Sequence, residues 1–307
     1  MRIWTGRAAS GKTTAILREI AEACRKGEGK QVLLVPELNS HQMERRLAEA
    51  TENHGARTAE VLTFSRLADR VFSEVGGLAQ QMLTPAGQLL TLQEAARRVQ
   101  GGLSVWGGLA DKPELLRETL RLVDECKTCA VSPQMLFDAS QESEDAALSA
   151  KLSDLAQLLT AYERLCEQSL PDPRDRLTHL RDRLPESHVL AGAQVYLDGF
   201  LGFTAQEQAV IEPMLATGVP MSAAVTCDTA QPEIFVTGCK TVKTLTRMAK
   251  RHNQPVERME LGASRLSRPA GLAAVEAESL LPVRGVHEGG CEGVRLYAAA
   301  SPFDECE

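Results

Sequence analysis

Long hydrophobic stretches are missing from this 307-residue chain: no apolar run approaches the roughly 20 residues a bilayer span requires, so no membrane association is expected. No secretory signal peptide is expected ahead of residue 6. The eight cysteines lack the density and grouping of a small secreted disulfide scaffold, and a cytoplasmic, reducing location is the economical expectation. Cys126-Lys127-Thr128-Cys129 is a C-x-x-C without the second pair that a zinc site needs. An excess of positive charge is missing too. The chain has 34 basic and 41 acidic residues, a net charge of −7, which argues against gripping nucleic acid by general electrostatics alone. Local basic clusters remain at Arg174, Arg176, Arg181 and Arg183, and again from Arg247 to Arg268. They read most simply as solvated helix faces balanced by nearby acids. Internal repeats and low-complexity tracts are also absent.

What is present begins near the N-terminus. Gly6-Arg7-Ala8-Ala9-Ser10-Gly11-Lys12-Thr13 fits G-x-x-x-x-G-K-[ST], the spelling of a phosphate-binding loop. The glycines let the backbone curl so that successive N–H groups surround phosphates, Lys12 reaches the outer ones and Thr13 holds magnesium. Arg2 to Trp4 reads as the strand such a loop must follow. The stretch from Thr14 reads as the helix it must open, with Lys26 and Gly27 at its end. The candidate nucleotide-binding residues are therefore Gly6, Arg7, Ala8, Ala9, Ser10, Gly11, Lys12, Thr13 and Thr14.

Further strands are expected at 31–35, 60–63, 194–198, 221–227, 256–260 and 293–298, with helical patterns between most of them. Asn39 to Gln42 and Thr204 to Glu207 both carry capping-box spacing. Such alternation implies an α/β fold with a doubly wound parallel sheet, whose ligand crevice lies at the carboxyl ends of the strands. From Thr84 to Leu184 strand signals vanish. Thr84-Pro85 and Ser132-Pro133 mark helix starts, and Leu152, Leu155, Leu159, Tyr162 and Cys166 keep helical spacing. The expected organisation is a discontinuous sheet domain, 1–83 with 185–307, interrupted by an all-helical insertion over 84–184. At 307 residues, the chain has room for both.

Four later segments decide what kind of loop protein this is: Val35-Pro36-Glu37, Thr63-Phe64-Ser65-Arg66-Leu67, Tyr196-Leu197-Asp198-Gly199-Phe200 with Phe203-Thr204-Ala205-Gln206-Glu207, and Cys227-Asp228-Thr229-Ala230-Gln231. With the loop, their order resembles the N-terminal part of the AddB (RexB) family, the B component of the bacterial ATP-dependent helicase and deoxyribonuclease. The similarity covers essentially the whole chain, and since members are several times longer, an N-terminal fragment is expected. The wider resemblance is to the first RecA-like domain of superfamily 1 helicases, with the helical block matching their inserted accessory domain. It implies ATP and magnesium as ligands, with Asp198 as the Walker B aspartate and Gln231 as a phosphate-sensing glutamine. Arg265 is implied to reach the γ-phosphate. Single-stranded DNA would be touched at Pro36, Asn39, Thr63, Phe64 and Ser65. The resemblance also implies an AddA-like motor subunit as partner and a role in DNA-break processing and recombinational repair. A nuclease with an iron-sulfur cluster belongs to the longer members' C-terminal part, not to this segment.

The residues depart from that pattern after the Walker B aspartate. Active motors follow the Walker B aspartate with a glutamate that orients the attacking water, whereas this chain has Gly199. Losing such a group typically costs about 10²- to 10⁴-fold in rate. Nucleotide binding with little hydrolysis is therefore expected. A bland reading survives for several candidates: Ser65 as a helix cap, Gln231 beside Pro232 as turn chemistry and Arg265 as a surface residue. A function of another class also fits the loop, a free-standing P-loop small-molecule kinase or NTPase. Its helical block would be a lid and Arg174 to Arg183 would be the lid arginines.

Overall fold

The computed structural model describes residues 1–52, 58–262, 269–278 and 288–306. Strand β1 (Arg2–Gly6) leads into α1 (Lys12–Lys26), β2 (Lys30–Leu34), α2 (Ser40–Ala50), β3 (Ala59–Leu62) and α3 (Phe64–Val75). Helices α4 (Pro85–Val99), α5 (Pro113–Thr128), α6 (Pro133–Glu142), α7 (Ala146–Gln168) and α8 (Arg176–Arg183) follow without a strand among them. The sheet then resumes with β4 (Ala193–Leu197), α9 (Ala205–Ala216), β5 (Met221–Thr226), α10 (Val236–Arg251) and β6 (Glu257–Glu260). Two short helices, α11 (Ala270–Glu278) and α12 (Pro302–Glu305), come last.

All six strands are parallel, in the order β3-β2-β4-β5-β1-β6. Alternate residues explain why the sheet is covered on both sides. Val32, Leu34, Val195, Leu197, Ala223 and Val225 share a core with Leu67 and Val71 of α3, Ile211 of α9 and Leu245 of α10. Their neighbours Leu33, Tyr196 and Ala224 pack with Ile16 and Ile20 of α1 and Met43 and Leu47 of α2. A strand apolar at both parities must lie between two layers of helix, as parallel sheets do.

Several local signals behave as their chemistry dictates. Gly27 closes α1 at φ +69°, its amide on the Ala23 and Cys24 carbonyls. Thr84 and Ser132 cap α4 and α6 by accepting from the Gly87 and Met135 amides, at 3.1 and 3.2 Å. Thr204 and Glu207 form a reciprocal capping box.

Three expectations are corrected. Asn39 does not form a capping box with Gln42: the short 3₁₀ turn Glu37–Asn39 holds it at φ −100°, ψ −5°, and its side chain accepts no cap hydrogen bond. At the start of α3 the cap is Thr63, accepting from the Arg66 amide at 3.2 Å, rather than Ser65. No strand forms over 293–298. That segment has no sheet partner, and Leu296 and Tyr297 are exposed, so alternation has nothing to pack against.

The helices between α3 and β4 have their own apolar core, in which Leu92, Val123, Leu155, Leu159, Tyr162 and Cys166 meet. Leu180 of α8 packs instead with the sheet. Where the chain turns back, Asp172 is wholly buried and collects the Gln88 amide (2.8 Å), the Tyr162 hydroxyl (2.9 Å), the Arg174 backbone amide (2.9 Å) and the Lys127 ammonium (3.1 Å). Lys127 also pairs with Asp175 at 2.6 Å. Burial by itself would raise the Asp172 carboxyl, but the Arg174 amide, Lys127 and Tyr162 hold it below the ordinary aspartate value.

A group depressed in this way stabilises the fold above its unfolded pKa of about 3.9, and that contribution is lost as pH falls through the lower folded value. Lys127→Ala leaves two carboxylates facing each other without their cation, and urea unfolding should show a loss of about 3–5 kcal/mol at pH 7. The loss should shrink below about pH 4 as Asp172 takes up a proton. An unchanged midpoint at pH 7 would show that the pair contributes nothing.

Candidate functional site

The glycine loop sits where β1 ends, inside the sheet rather than at its rim, with β5 on one side and β6 on the other. Its curl is built from backbone choices. Gly11, at φ +93°, is the N-cap of α1, and Ala9 takes φ +58°, a conformation that costs a non-glycine residue roughly 1–2 kcal/mol. Gly6 is required by close approach, since a Cβ there would lie 2.5 Å from Ser10 Oγ and 2.9 Å from the Leu261 carbonyl. Ala8 and Ala9 form the exposed tip, Ser10 is buried beneath it, and Thr14 is exposed on the first turn of α1.

Lys12 is folded back into this loop. Its ammonium, almost wholly buried, donates to the Gly6 carbonyl at 2.8 Å, the Arg7 carbonyl at 2.7 Å and Ser10 Oγ at 3.4 Å. Burial lowers its pKa, and the nearby Asp198 charge pulls the other way. Arg7 leaves the loop sideways. Its Nε pairs with Asp228 at 2.7 Å, and its guanidinium lies 5.9 Å from the centroid of the Phe235 ring. The Gly6 carbonyl accepts the Cys227 amide at 3.2 Å, so the exit of β5 is fastened to the loop at two points.

Asp198 and Gln231 stand on the same carboxyl edge, after β4 and β5. Leu34 accepts the Asp198 amide at 3.1 Å, which continues the β2–β4 register past the strand ends. Burial raises the Asp198 carboxyl. The Thr13 hydroxyl, the Gly199 amide and the charges of Arg46 and Lys12 favour its ionised form. Asp198 Oδ2 and Gln231 Oε1 are both buried without a hydrogen-bond partner. Buried oxygens left open are costly unless something else completes them. Among the described residues no group of three or more His, Cys, Asp or Glu side chains comes together, so any cation here would lean on Asp198, Thr13 and non-protein oxygens.

Gly199 has a structural reason to be glycine. It adopts φ +83°, and a Cβ there would lie 3.0 Å from Asn39 Nδ2 and 3.4 Å from Pro36 Cδ. The turn after β4 is thus pressed against the loop after β2. The other expected contact residues divide. Ser65 faces solvent and Pro36 and Asn39 are half-buried, with Leu38 between them at 99% exposure, but Thr63 is a buried helix cap. Phe64 is buried with its ring edge-on to Phe200, at 5.7 Å between centroids. Arg265 lies outside the described residues.

The arginines read as lid groups are engaged with acids: Arg174 with Asp124, Arg176 with Asp69, Arg181 with Asp182 and Arg183 with Glu186. Asp228 and Arg46 were not expected at the site. No signal in the sequence marks either, because each is joined to it only by the fold. A cavity of about 870 Å³ opens at the opposite edge of the sheet, between Arg2, Gln31, Ala193 and Met221, so cavity size does not point to the loop.

Comparison with known proteins agrees with the motif order. The profile of the family described as "ADDB, N-terminal" matches residues 3–276. Proteins named as the B component of an ATP-dependent helicase/deoxyribonuclease are similar over the whole chain. The one from Desulforudis audaxviator is 35% identical and the one from Thermoanaerobacter sp. (strain X514) is 29% identical. The Desulforamulus reducens protein of the same name is 35% identical over 81% of the chain. The chain spans about 28% of the length of the first two relatives and 23% of the third.

The positive φ and the crowding at Gly199 make substitution there a structural lesion. Gly199→Ala should cost about 1–3 kcal/mol in urea unfolding, from backbone strain and displacement of Asn39. A loss below a few tenths would mean that the turn relaxes freely.

Proposed function

The chain belongs to the AddB N-terminal family, and from that membership we propose that it is the helicase-like, nucleotide-binding module of an ATP-dependent helicase/deoxyribonuclease subunit. The observation that carries this reading is the placement of buried Lys12 and Asp198 and half-buried Gln231 at one edge of the sheet, the last two each with a buried oxygen left open. ATP phosphates would lie along the amides from Ala8 to Thr13 at the N-terminus of α1, and Lys12 would exchange its loop carbonyls for phosphate oxygens. Magnesium would take the Thr13 hydroxyl and, through water, Asp198, and Gln231 would face the terminal phosphate. The sheet domain is read as RecA-like: β5 lies between the loop strand β1 and the aspartate strand β4. Residues 84–184 are read as its inserted accessory domain, with α8 shared between the two.

Bound nucleotide supplies phosphoryl groups to hold, and this chain has little with which to break them. At the position of a water-orienting glutamate stands a glycine that the fold itself requires. Turnover is accordingly slow or absent, and the module works as a nucleotide-sensitive body within a DNA end-processing complex. Its DNA-facing surface is the exposed rim of the loops after β2 and β3, formed by Pro36, Leu38, Asn39 and Ser65. Phe64 would have to leave the core to take part. Because a Cβ on Gly199 would meet both Pro36 and Asn39, that rim lies directly against the aspartate turn. The partner of such a subunit would be an AddA-like motor, and the setting is repair of DNA breaks in the cytoplasm.

In the full-length protein, Lys12→Ala should weaken ATP binding in the presence of magnesium by at least tenfold in equilibrium titration, a change of about 1.4 kcal/mol or more. Equal affinities would remove the nucleotide-site assignment. Gly199→Glu should not raise single-turnover hydrolysis, because the turn cannot seat the side chain without strain. A gain of a hundredfold would show that a missing carboxylate, rather than the shape of the turn, limits the site.

A further inference from the structure

Two thiols outside the proposed nucleotide site face each other beside it. Cys227 directly follows β5, and Cys239 lies in the first turn of α10, with their sulfurs 3.1 Å apart. The approach is imposed by the backbone. The Cys227 amide is held by the Gly6 carbonyl, and α10 passes so near the end of β5 that a Cβ on Gly238 would fall 2.0 Å from the Thr226 carbonyl. Cys227 is buried and Cys239 half-buried, so Cys239 is the more accessible of the two. No other cysteine among the described residues has a second thiol within hydrogen-bonding distance, the C-x-x-C pair Cys126 and Cys129 included.

We propose that Cys227 and Cys239 form a thiol–disulfide exchange site that takes a low-molecular-weight disulfide, of the oxidised glutathione type, as its co-substrate. The Cys239 thiolate attacks one sulfur of the small disulfide, forming a mixed disulfide and releasing one small thiolate, which takes up a proton. Cys227 then gives up its proton and attacks Cys239 Sγ. The Cys227–Cys239 bond forms and the second small thiol leaves. Two protein thiols are oxidised and one disulfide is reduced to two thiols, so the step balances.

Burial, together with the Cys239 thiol and the charges of Asp228 and Glu260, pushes the Cys227 thiol up to about 12. Cys227 is therefore the slow, resolving partner, and closure should accelerate as pH rises. The segment enclosed by the bond carries Asp228, the partner of Arg7, as well as Gln231 and Phe235. Oxidation would thus tie both ends of the segment that braces the phosphate loop. In a reducing compartment such a bond is a transient signal and not a permanent staple.

The test is to incubate the native full-length protein with excess oxidised glutathione, block residual thiols and map peptides by mass spectrometry. The expected product is a peptide pair joined through Cys227 and Cys239, formed faster at pH 9 than at pH 7. Cys227→Ser should stop at a glutathione adduct on Cys239. The oxidised wild type should melt at or above the temperature of the reduced protein. Accumulation of the adduct in the wild type without closure would overturn the proposal, as would cross-linking of either cysteine to another. A closed protein that melts lower would also overturn it, since the pair would then have formed only through unfolding.

Discussion

A buried ammonium must be surrounded by oxygen, and Lys12 takes its oxygens from the loop that carries it. The Gly6 and Arg7 carbonyls and the Ser10 hydroxyl close around it, so the loop is already shaped before any ligand arrives. Once those carbonyls turn inward, the remaining groups of the loop have few directions left. The Gly6 carbonyl has a second lone pair for the Cys227 amide, and the Arg7 side chain is thrown outward to Asp228. The loop, the start of α1 and the exit of β5 are therefore one bonded unit. Under the nucleotide reading, binding is an exchange of oxygens around one cation, with the carbonyls giving way to phosphate. The loop need not be ordered at that moment, which spares the entropy that a floppy site would lose.

The same economy explains the turn after β4. In-register pairing of β2 with β4 brings the ends of the two strands side by side, and the loops that follow must share the space beyond them. Pro36 and Asn39 fill it from one side, leaving on the other a volume and a backbone angle that suit glycine alone. Glycine at position 199 is thus a packing solution. A large side chain could not be seated there without moving the loop after β2.

How much of this was legible from the residues depends on how local the cause is. The glycine turn between β1 and α1 was readable because its motif is spelled in contiguous residues, and the proline-led helix starts because a cap acts over three. The strands were readable because burial on two faces leaves apolar residues at both parities. What failed was non-local. Val294, Leu296 and Ala298 alternate as strand residues do, but pairing depends on a neighbour that the sequence does not announce. Asn39 has the spelling of a cap, yet the 3₁₀ turn before it sets its backbone and Gly199 claims its side chain's surroundings. The Arg7–Asp228 pair joins positions far apart in the chain, and only the parallel order of β1 and β5 brings them together, while the facing thiols meet because α10 packs back on the end of β5.

The helices between α3 and β4 have a consequence for how the chain comes together. β2 lies between β3 and β4, yet Leu34 is hydrogen-bonded in register with a strand that appears only after the whole helical block has been made. Closing so long a stretch as random coil would be entropically expensive and slow. The block has a core of its own, however, with Tyr162, Leu159 and Val123 meeting inside it. If that core collapses first, it draws the ends of the detour together, and Asp172 then clasps Lys127, Gln88 and Tyr162 where the chain turns back toward the sheet. On that order of events the helical block would serve as an assembly jig, shortening the path by which the two halves of the sheet find each other.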